Sequence, residues 1–394
     1  MKKFIFLSIL TFGFFTISFS QEYVWTDISA NFPGNPSLSD VFFVSDNEGW
    51  ITSSSQAEIY HTTNGGETFE VQTTLYSCNA IHMLNENEGY AGGASGFVYR
   101  TTDGGENWNL HGTTVSNLVD ISFPPMGDTG YCCGMNGNIH SIDSSGVTKM
   151  TSNINGDLAA ISFPINSEEG WVCGGSVIRH YKNSVWYGDQ DMPSGHYNSI
   201  FMADTLNGWA VGDNGAIIHT SDGQNWATQQ TNPAYILTDV FFINAQEGRA
   251  VGSGGGIFHT TNGGTNWNIE GAELSFAILR GVHFTSSTNG YVVGNGKTLL
   301  KYAEVSGVDD EVENIKFEIF PNPAKNKIEI MSSVFGVNDC QIELFDLNGR
   351  RLLSKNIRKG NENMKIDVSG LESGMYFCKI STDKKSMTKK LIIE

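Results

Sequence analysis

Apolar and polar residues alternate along most of this chain in short runs, and the runs are closed by glycine or by Asn/Asp-Gly pairs. That is the pattern of half-buried strands joined by tight turns. The alternation itself repeats. A run such as Asp40-Val41-Phe42-Phe43 is followed about six residues later by a Gly-aromatic pair that opens a second run. A Gly-rich turn leads to a third run ending in a basic residue and Thr. An Asn/Asp-Gly-Gly turn then leads to a fourth run that begins with Trp or Phe. No segment shows a convincing amphipathic helical period.

The Gly-aromatic position sets the count. Gly49-Trp50, Gly89-Tyr90, Gly130-Tyr131, Gly170-Trp171, Gly208-Trp209, Gly248-Arg249 and Gly290-Tyr291 are separated by 40, 41, 40, 38, 40 and 42 residues, with Arg249 the one non-aromatic partner. Seven four-stranded units of this period predict a seven-bladed β-propeller. The first strands agree. Val41, Ile81, Ile121, Ile161, Ile200, Val240 and Val282 form a β-branched column, and Phe43, Met83, Phe123, Phe163, Met202, Phe242 and Phe284 form a large apolar column two residues on. Residues two apart share a strand face, so each unit offers a face that only a neighbour can bury. The seventh unit stops at Leu299-Leu300-Lys301-Tyr302 without its last strand. Tyr23-Val24-Trp25-Thr26-Asp27 is an orphan of the missing type, and Trp25's strand is expected to complete the ring and remove a sheet edge.

After an acidic linker at residues 304–314, alternation resumes in a segment of about 80 residues, 315–394. It holds Phe317-Glu318-Ile319-Phe320-Pro321-Asn322-Pro323, an Asn348-Gly349 hairpin turn and a Lys389-Lys390-Leu391-Ile392-Ile393 end, and reads as a small Ig-like β-sandwich. At the other end, Lys2 and Lys3 precede an apolar run from Phe4 to Phe15 and small residues at Ser18-Phe19-Ser20. This is a secretory leader over residues 1–20; the run is short for a membrane anchor. No later segment is apolar enough to span a bilayer. The expected organisation is therefore leader 1–20, propeller 21–303, linker 304–314 and sandwich 315–394, all-β throughout.

Charge narrows the partners. The net charge is −18, and residues 21–303 carry 27 acidic against 8 basic residues. Such a surface repels phosphate backbones, which excludes nucleic acid. It suits a cationic partner or bound divalent cations, with calcium left open and no other cofactor implied. The six cysteines, Cys78, Cys132, Cys133, Cys173, Cys340 and Cys378, include no CxxC pair. They read first as small buried apolar residues, although export permits disulfides.

Candidate chemistry lies in three columns. The turn position is Asn64, Asp103, Asp222 and Asn262. Interchange of amide and acid marks a hydrogen-bond acceptor in a tight turn, not a general acid or a metal ligand. Blades 3 and 4 are degenerate there. The column before it, His61, Arg100, Arg179, His219, His259 and Lys301, is spread around a ring by symmetry, so it packs against aromatic residues and converges on no metal. Asp40, Asp120 and Asp239 precede three first strands, where the other blades carry Ala80, Ala160, Ser199 and Gly281 beside Arg280. First strands line a propeller's channel. This ring either caps strand starts or forms a channel-mouth site for a cation or polar ligand.

The turn Thr-x-Asp/Asn-Gly-Gly-x-x-Trp resembles the Asp-box, or BNR repeat, of sialidases and related propellers. The whole repeat, best seen from Leu206 to Trp226, resembles the photosystem II assembly and stability factor propellers over about residues 23–302. The resemblance implies a secreted interaction module and not a photosystem role, and with four arginines here (Arg100, Arg179, Arg249 and Arg280) it does not supply that family's basic surface. The Phe317–Pro323, Asn348-Gly349 and C-terminal motifs closely resemble the type A sorting domain of the type IX secretion system of Bacteroidetes. That resemblance implies export through this machinery and removal of the domain by a sortase, with the protein released or held on the outer-membrane surface. Two functions follow: a non-catalytic binding module for a protein or glycan, or a sialidase- or xyloglucanase-like glycoside hydrolase acting at the central face. The missing arginine triad and even blade lengths favour binding, and no catalytic residue is assigned.

Overall fold

The computed structural model describes residues 23–188, 192–229, 235–271, 274–304, 317–332, 339–347, 349–359, 363–382 and 386–394. The expected leader over residues 1–20 lies outside them, as does the expected linker beyond Glu304.

Residues 23–304 form seven four-stranded antiparallel sheets. Blade 1 takes Leu38–Phe43 as its inner strand, then Gly49–Ser53, Glu58–Thr62 and Glu70–Thr73 outward. The inner strands of blades 2 to 6 are Cys78–Met83, Leu118–Ser122, Ala160–Ser162, Tyr197–Met202 and Leu237–Phe242. Blade 7 draws on both ends of this region. Leu279–Ser286, Asn289–Gly294 and Thr298–Glu304 are joined by Tyr23–Asp27 as the outer strand. Trp25 pairs with Tyr302 and Thr26 with Lys301, so the truncated last repeat is completed by the orphan strand. Trp25 is buried edge-on to Phe284, with ring centroids 5.7 Å apart. Its indole Nε1 donates to Glu270 Oε2 of blade 6 at 3.2 Å.

The Gly-aromatic signature has a steric cause. In every blade the large residue at the end of the inner strand lies flat across the glycine that opens the second strand. A Cβ on Gly49 would sit 2.4 Å from the Phe43 ring, and one on Gly248 would sit 2.5 Å from that of Phe242. Only glycine permits that approach. The other face of the large residue is covered by the preceding blade's aromatic residue. Trp209 stacks on Phe242 at 3.5 Å, Tyr131 on Phe163 at 3.8 Å, and Tyr291 on Phe43 at 3.6 Å, the last closing blade 7 onto blade 1. Arg249 fills the same slot before blade 7. It is 1% exposed, with its guanidinium over the Phe284 ring at 4.2 Å and the Tyr302 ring at 4.6 Å.

The tryptophans of this column have a further partner. Trp50, Trp171 and Trp209 donate Nε1–H to the carbonyls of Gly104, Gly223 and Gly263, each in the Asn/Asp-Gly turn of the next blade. Where the next blade lacks that turn, the position is Tyr90, Tyr131 or Arg249. Tyr291 reaches the Gly65 carbonyl of blade 1 through its hydroxyl. The residue type in one blade is thus set by the turn in its neighbour. One column assignment needs correction. Trp171 pairs with His180, not Arg179, and the two rings stack at 4.3 Å. Blade 4 turns from its second to its third strand through a tight Gly174–Val177 hairpin, without the 3-10 turn of blades 2, 3, 5 and 6, and this moves its register by one residue.

Beyond the propeller, a three-stranded sheet of Phe317–Phe320, Lys327–Ser332 and Asn363–Asp367 accompanies a four-stranded one. The latter runs Arg351–Ile357, Cys340–Phe345, Gly374–Ser381, Ser386–Ile393. Phe317, Ile328, Ile342, Leu344, Ile380 and Leu391 form their shared core. The expected hairpin turn is closed by Asp346 and Arg350, its Asn348 lying outside the described residues. Among the described residues all six cysteines are buried and free, and no helix is long and apolar enough to cross a membrane.

Candidate functional site

Each inner strand begins on one face of the ring, here called the front face, and runs through the central channel. In all blades but the fourth the ladder between inner and second strands slips by one residue, at Ser39, Asn79, Val119, Asn198, Thr238 and Arg280. A bulge re-aims the side chain it carries. These six residues, with Ser54 and Asp213, surround a cavity of about 600 Å³ at the front mouth of the channel. Arg280 is exposed on its rim, with Nε held by Asn295 Oδ1 at 3.1 Å.

Asp40, Asp120 and Asp239 come together at the floor of this cavity. Each does more than cap its own strand. Asp40 accepts the Val41 N–H at 2.8 Å on one oxygen and the Ile81 N–H of blade 2 at 2.9 Å on the other. Asp120 accepts Ile121 and, in blade 4, Ile161, both at 2.8 Å. Asp239 accepts the Val282 N–H of blade 7 at 2.9 Å and the Ser199 hydroxyl of blade 5 at 2.8 Å. The three carboxylates bridge blades 1–2, 3–4 and 5–6–7.

The remaining boundaries use other inner-strand side chains. Asn79 Nδ2 donates to the Leu118 carbonyl at 2.8 Å, and Ser162 Oγ accepts the Met202 N–H at 3.1 Å. Ser122 Oγ likewise accepts Phe163 N–H at 3.0 Å. His283 Nδ1 accepts the Phe43 N–H across the closure at 3.4 Å, which places its proton on Nε2. Every blade boundary therefore carries at least one side-chain latch next to the channel. Ser122, Ser162 and His283 went unnoticed in the sequence, yet they stand two residues beyond the aspartate column, on the same channel-facing side of their strands.

The electrostatics follow from crowding like charges away from bulk water. Burial, and then the neighbouring Asp120, hold the Asp40 carboxyl well above the usual carboxylate range. Burial pushes Asp120 up to about 7 and Asp239 up to about 6 against the pull of their N–H donors. Among the described residues, no group of three His, Cys, Asp or Glu is placed to hold a metal ion.

Asn64, Asp103, Asp222 and Asn262 lie away from the channel, in the turns before the outer strands. In each, the side-chain oxygen closes the turn on itself. Asn262 Oδ1 accepts the Thr260 hydroxyl and the Asn266 N–H, both at 3.0 Å. Asp103 Oδ1 accepts the matching Thr101 hydroxyl at 2.8 Å and Asn107 N–H at 2.9 Å. The glycines that follow take left-handed backbone, Gly263 at φ +66° and Gly264 at φ +84°. The amide of Asn107 and the other turn donors hold the half-buried Asp103 down to about 2.

Comparison with known proteins agrees with this architecture. Residues 318–394 match the family described as secretion system C-terminal sorting domain. Residues 17–112 match the photosynthesis system II assembly factor YCF48 family. No curated protein matches the chain. Among solved structures, YCF48 bound to D1 peptide is 19% identical with a TM-score of 0.60, covering 73% of this chain and 96% of its own. YCF48 from Cyanidioschyzon merolae is 17% identical with a TM-score of 0.58, covering 71% and 98%. Virginiamycin B lyase from Staphylococcus aureus is 14% identical at 0.60, covering 72% and 99%. At these identities the likeness is one of fold. The sorting tail marks a protein that engages the secretion machinery and is secreted or attached at the cell surface.

Proposed function

We propose that this chain is an exported binding protein whose propeller presents its front mouth to a polar ligand, a glycan or an extended peptide. The observation that carries this reading is the use made of the channel carboxylates. A glycoside hydrolase needs one carboxyl free to donate a proton and a second free to act as base or nucleophile. Here both oxygens of Asp40, Asp120 and Asp239 are engaged in bonds that hold blades together. Arg280, Asn79, Asn198 and Asp213 remain at the rim with donor and acceptor capacity for a ligand. The YCF48 structure with a bound D1 peptide is a precedent for peptide capture by a propeller of this fold. The sorting tail would deliver such a module to the outside of the cell, where a leader over residues 1–20 would have started its export.

Glycan and peptide arrays probed with the full chain, beside a hydrolysis screen on the same sugars, test this reading. The expected result is binding without turnover that is lost in an Arg280→Ala variant of unchanged melting temperature. Turnover abolished by Asp120→Asn or Asp239→Asn would overturn it in favour of a hydrolase.

A further inference from the structure

The back of the channel has a different chemistry. Two residues beyond the aspartate column, the channel-facing side chains become aromatic over most of the ring. Phe201 lies 5.1 Å from Phe241, Phe241 5.0 Å from His283, and His283 4.5 Å from Phe42. Phe42 in turn lies 4.6 Å from His82. Five rings from five blades make a continuous arc around a cavity of about 580 Å³, and the gap in the arc is filled by the serines of blades 3 and 4. This size suits a small organic group or a protruding side chain.

The charge of the cavity is one-sided. Its floor is formed by Asp40, Asp120 and Asp239, seen from behind, and no Lys or Arg is among the described residues that line it. The two histidines do not offset the acids. Burial pushes His82 down to about 4 and His283 down to about 3, and His283 Nδ1 is already an acceptor. Each carboxylate oxygen that accepts one N–H keeps a second lone pair. The cavity thus pairs aromatic walls, which attract a cation through their ring faces, with deep acceptors that lack a counter-charge.

We propose that this back pocket binds the side chain of a lysine presented by a protein partner, with the four-carbon stem against the Phe42, Phe201 and Phe241 rings and the ammonium on the aspartate floor. The geometry fits the length of that side chain. Collar and floor are two residues apart on the same strands, about 6–7 Å, and a lysine carries its charge at the end of a flexible apolar stem of about that reach. N–H donors are needed to use the carboxylate lone pairs, which favours a primary ammonium over a quaternary one. The inference concerns the mouth opposite the one used in the proposed function and does not depend on it.

Saturation-transfer NMR with the full chain and a short glycine peptide bearing one central lysine tests it, with the N-acetyl-lysine and trimethyl-lysine peptides alongside. The expected result is transfer to the lysine side-chain methylenes that disappears on acetylation. It should weaken about threefold to tenfold in Phe42→Leu and Phe241→Leu, which keep apolar bulk and remove the ring faces. The Arg280→Ala variant should bind the lysine peptide unchanged. Equal transfer to lysine and acetyl-lysine peptides, or none to either, overturns the proposal. So does stronger transfer to trimethyl-lysine, indifference to both leucine variants, or loss in the front-mouth variant.

Discussion

Trp50 and Trp171 occupy equivalent places in blades 1 and 4, and the same substitution should cost different amounts at the two. Both are fully buried, and both stack on a histidine, His61 at 4.4 Å and His180 at 4.3 Å. Both pack in a cluster with the methionine that ends the next inner strand, Met83 or Met202. Each donates its indole N–H to a glycine carbonyl in the next blade, Gly104 at 3.0 Å and Gly223 at 2.9 Å. The difference lies in that carbonyl. Gly104 also accepts Gln72 Nε2 at 3.0 Å, whereas Gly223 has no second donor among the described residues. Replacing Trp by Phe removes the same volume and the same N–H at both sites, so those losses cancel in the comparison. What remains is an unsatisfied buried carbonyl in Trp171→Phe alone. Such a group costs about 1–3 kcal/mol, so Trp171→Phe should be less stable than Trp50→Phe by ~1 kcal/mol or more. Urea denaturation with unchanged slope would read this directly, and thermal melting should separate the two by about 2–4 °C. Adding Gln72→Ala to Trp50→Phe should close the gap. Equal losses in the two single variants, or a gap that survives Gln72→Ala, would refute the idea that these tryptophans hold the next blade's turn through its carbonyl.

Two further outcomes follow from the same structure. Asp120 titrates near 7 in the folded protein against an ordinary 3.8. The folded state therefore holds a proton that the unfolded state releases, and this group lowers stability as pH rises from about 4 to about 7. His82, His140 and His283, depressed to about 4, 4 and 3, push the other way up to their ordinary 6.5. The diagnostic quantity is thus the difference between Asp120→Asn and the native chain. It should shift in the variant's favour by about 2–4 kcal/mol between about pH 5 and about pH 8, and a difference independent of pH would show that the carboxyl is not held protonated. In the turns, Asn262→Asp should be nearly neutral, as Asp103 makes the same bonds. Asn262→Ala should cost ~1 kcal/mol, by analogy with a lost helix cap, and leave ligand binding unchanged. Loss of binding at an unchanged melting temperature would give that turn a direct role in recognition.

The architecture was legible because its causes are local and repeated seven times. The glycine before each Trp or Tyr, the large apolar residue at the end of each inner strand and the β-branched residue before it are demanded by one packing unit, so they recur at a fixed period. The closing strand was legible as the piece the seventh repeat lacked. The latches were harder to see because each boundary solves the same problem with a different residue. Ser162, Asn79, Asp120 and His283 have in common only an atom that bonds across a blade boundary, and a column of unlike residues carries no visible motif. Arg249 stood out as the one non-aromatic member of its column, but its meaning depends on the absence of a turn in blade 7, some fifty residues further on. The aromatic arc escaped for a related reason. Phe42, Phe201 and Phe241 look like further members of an apolar strand until the ring is closed and their faces meet His82 and His283 across neighbouring blades.

The way blade 7 is assembled also decides how the molecule carries load. Its outer strand begins at Tyr23, which pairs with Glu304, the last residue of its neighbour. The two ends of the propeller thus emerge side by side at the same end of one sheet. A pull that separates them would open this antiparallel pair like a zip, one residue pair at a time, which is the weak direction of a β-ladder. A pull between a ligand seated in the channel and the C-terminal tail takes another route. It enters the ring at Thr298–Glu304, a strand bonded on both sides, and must shear it past both neighbours. A protein fixed by its tail and loaded through its channel is held along the stronger path, with its N-terminal strand sharing the shear as one of those two neighbours.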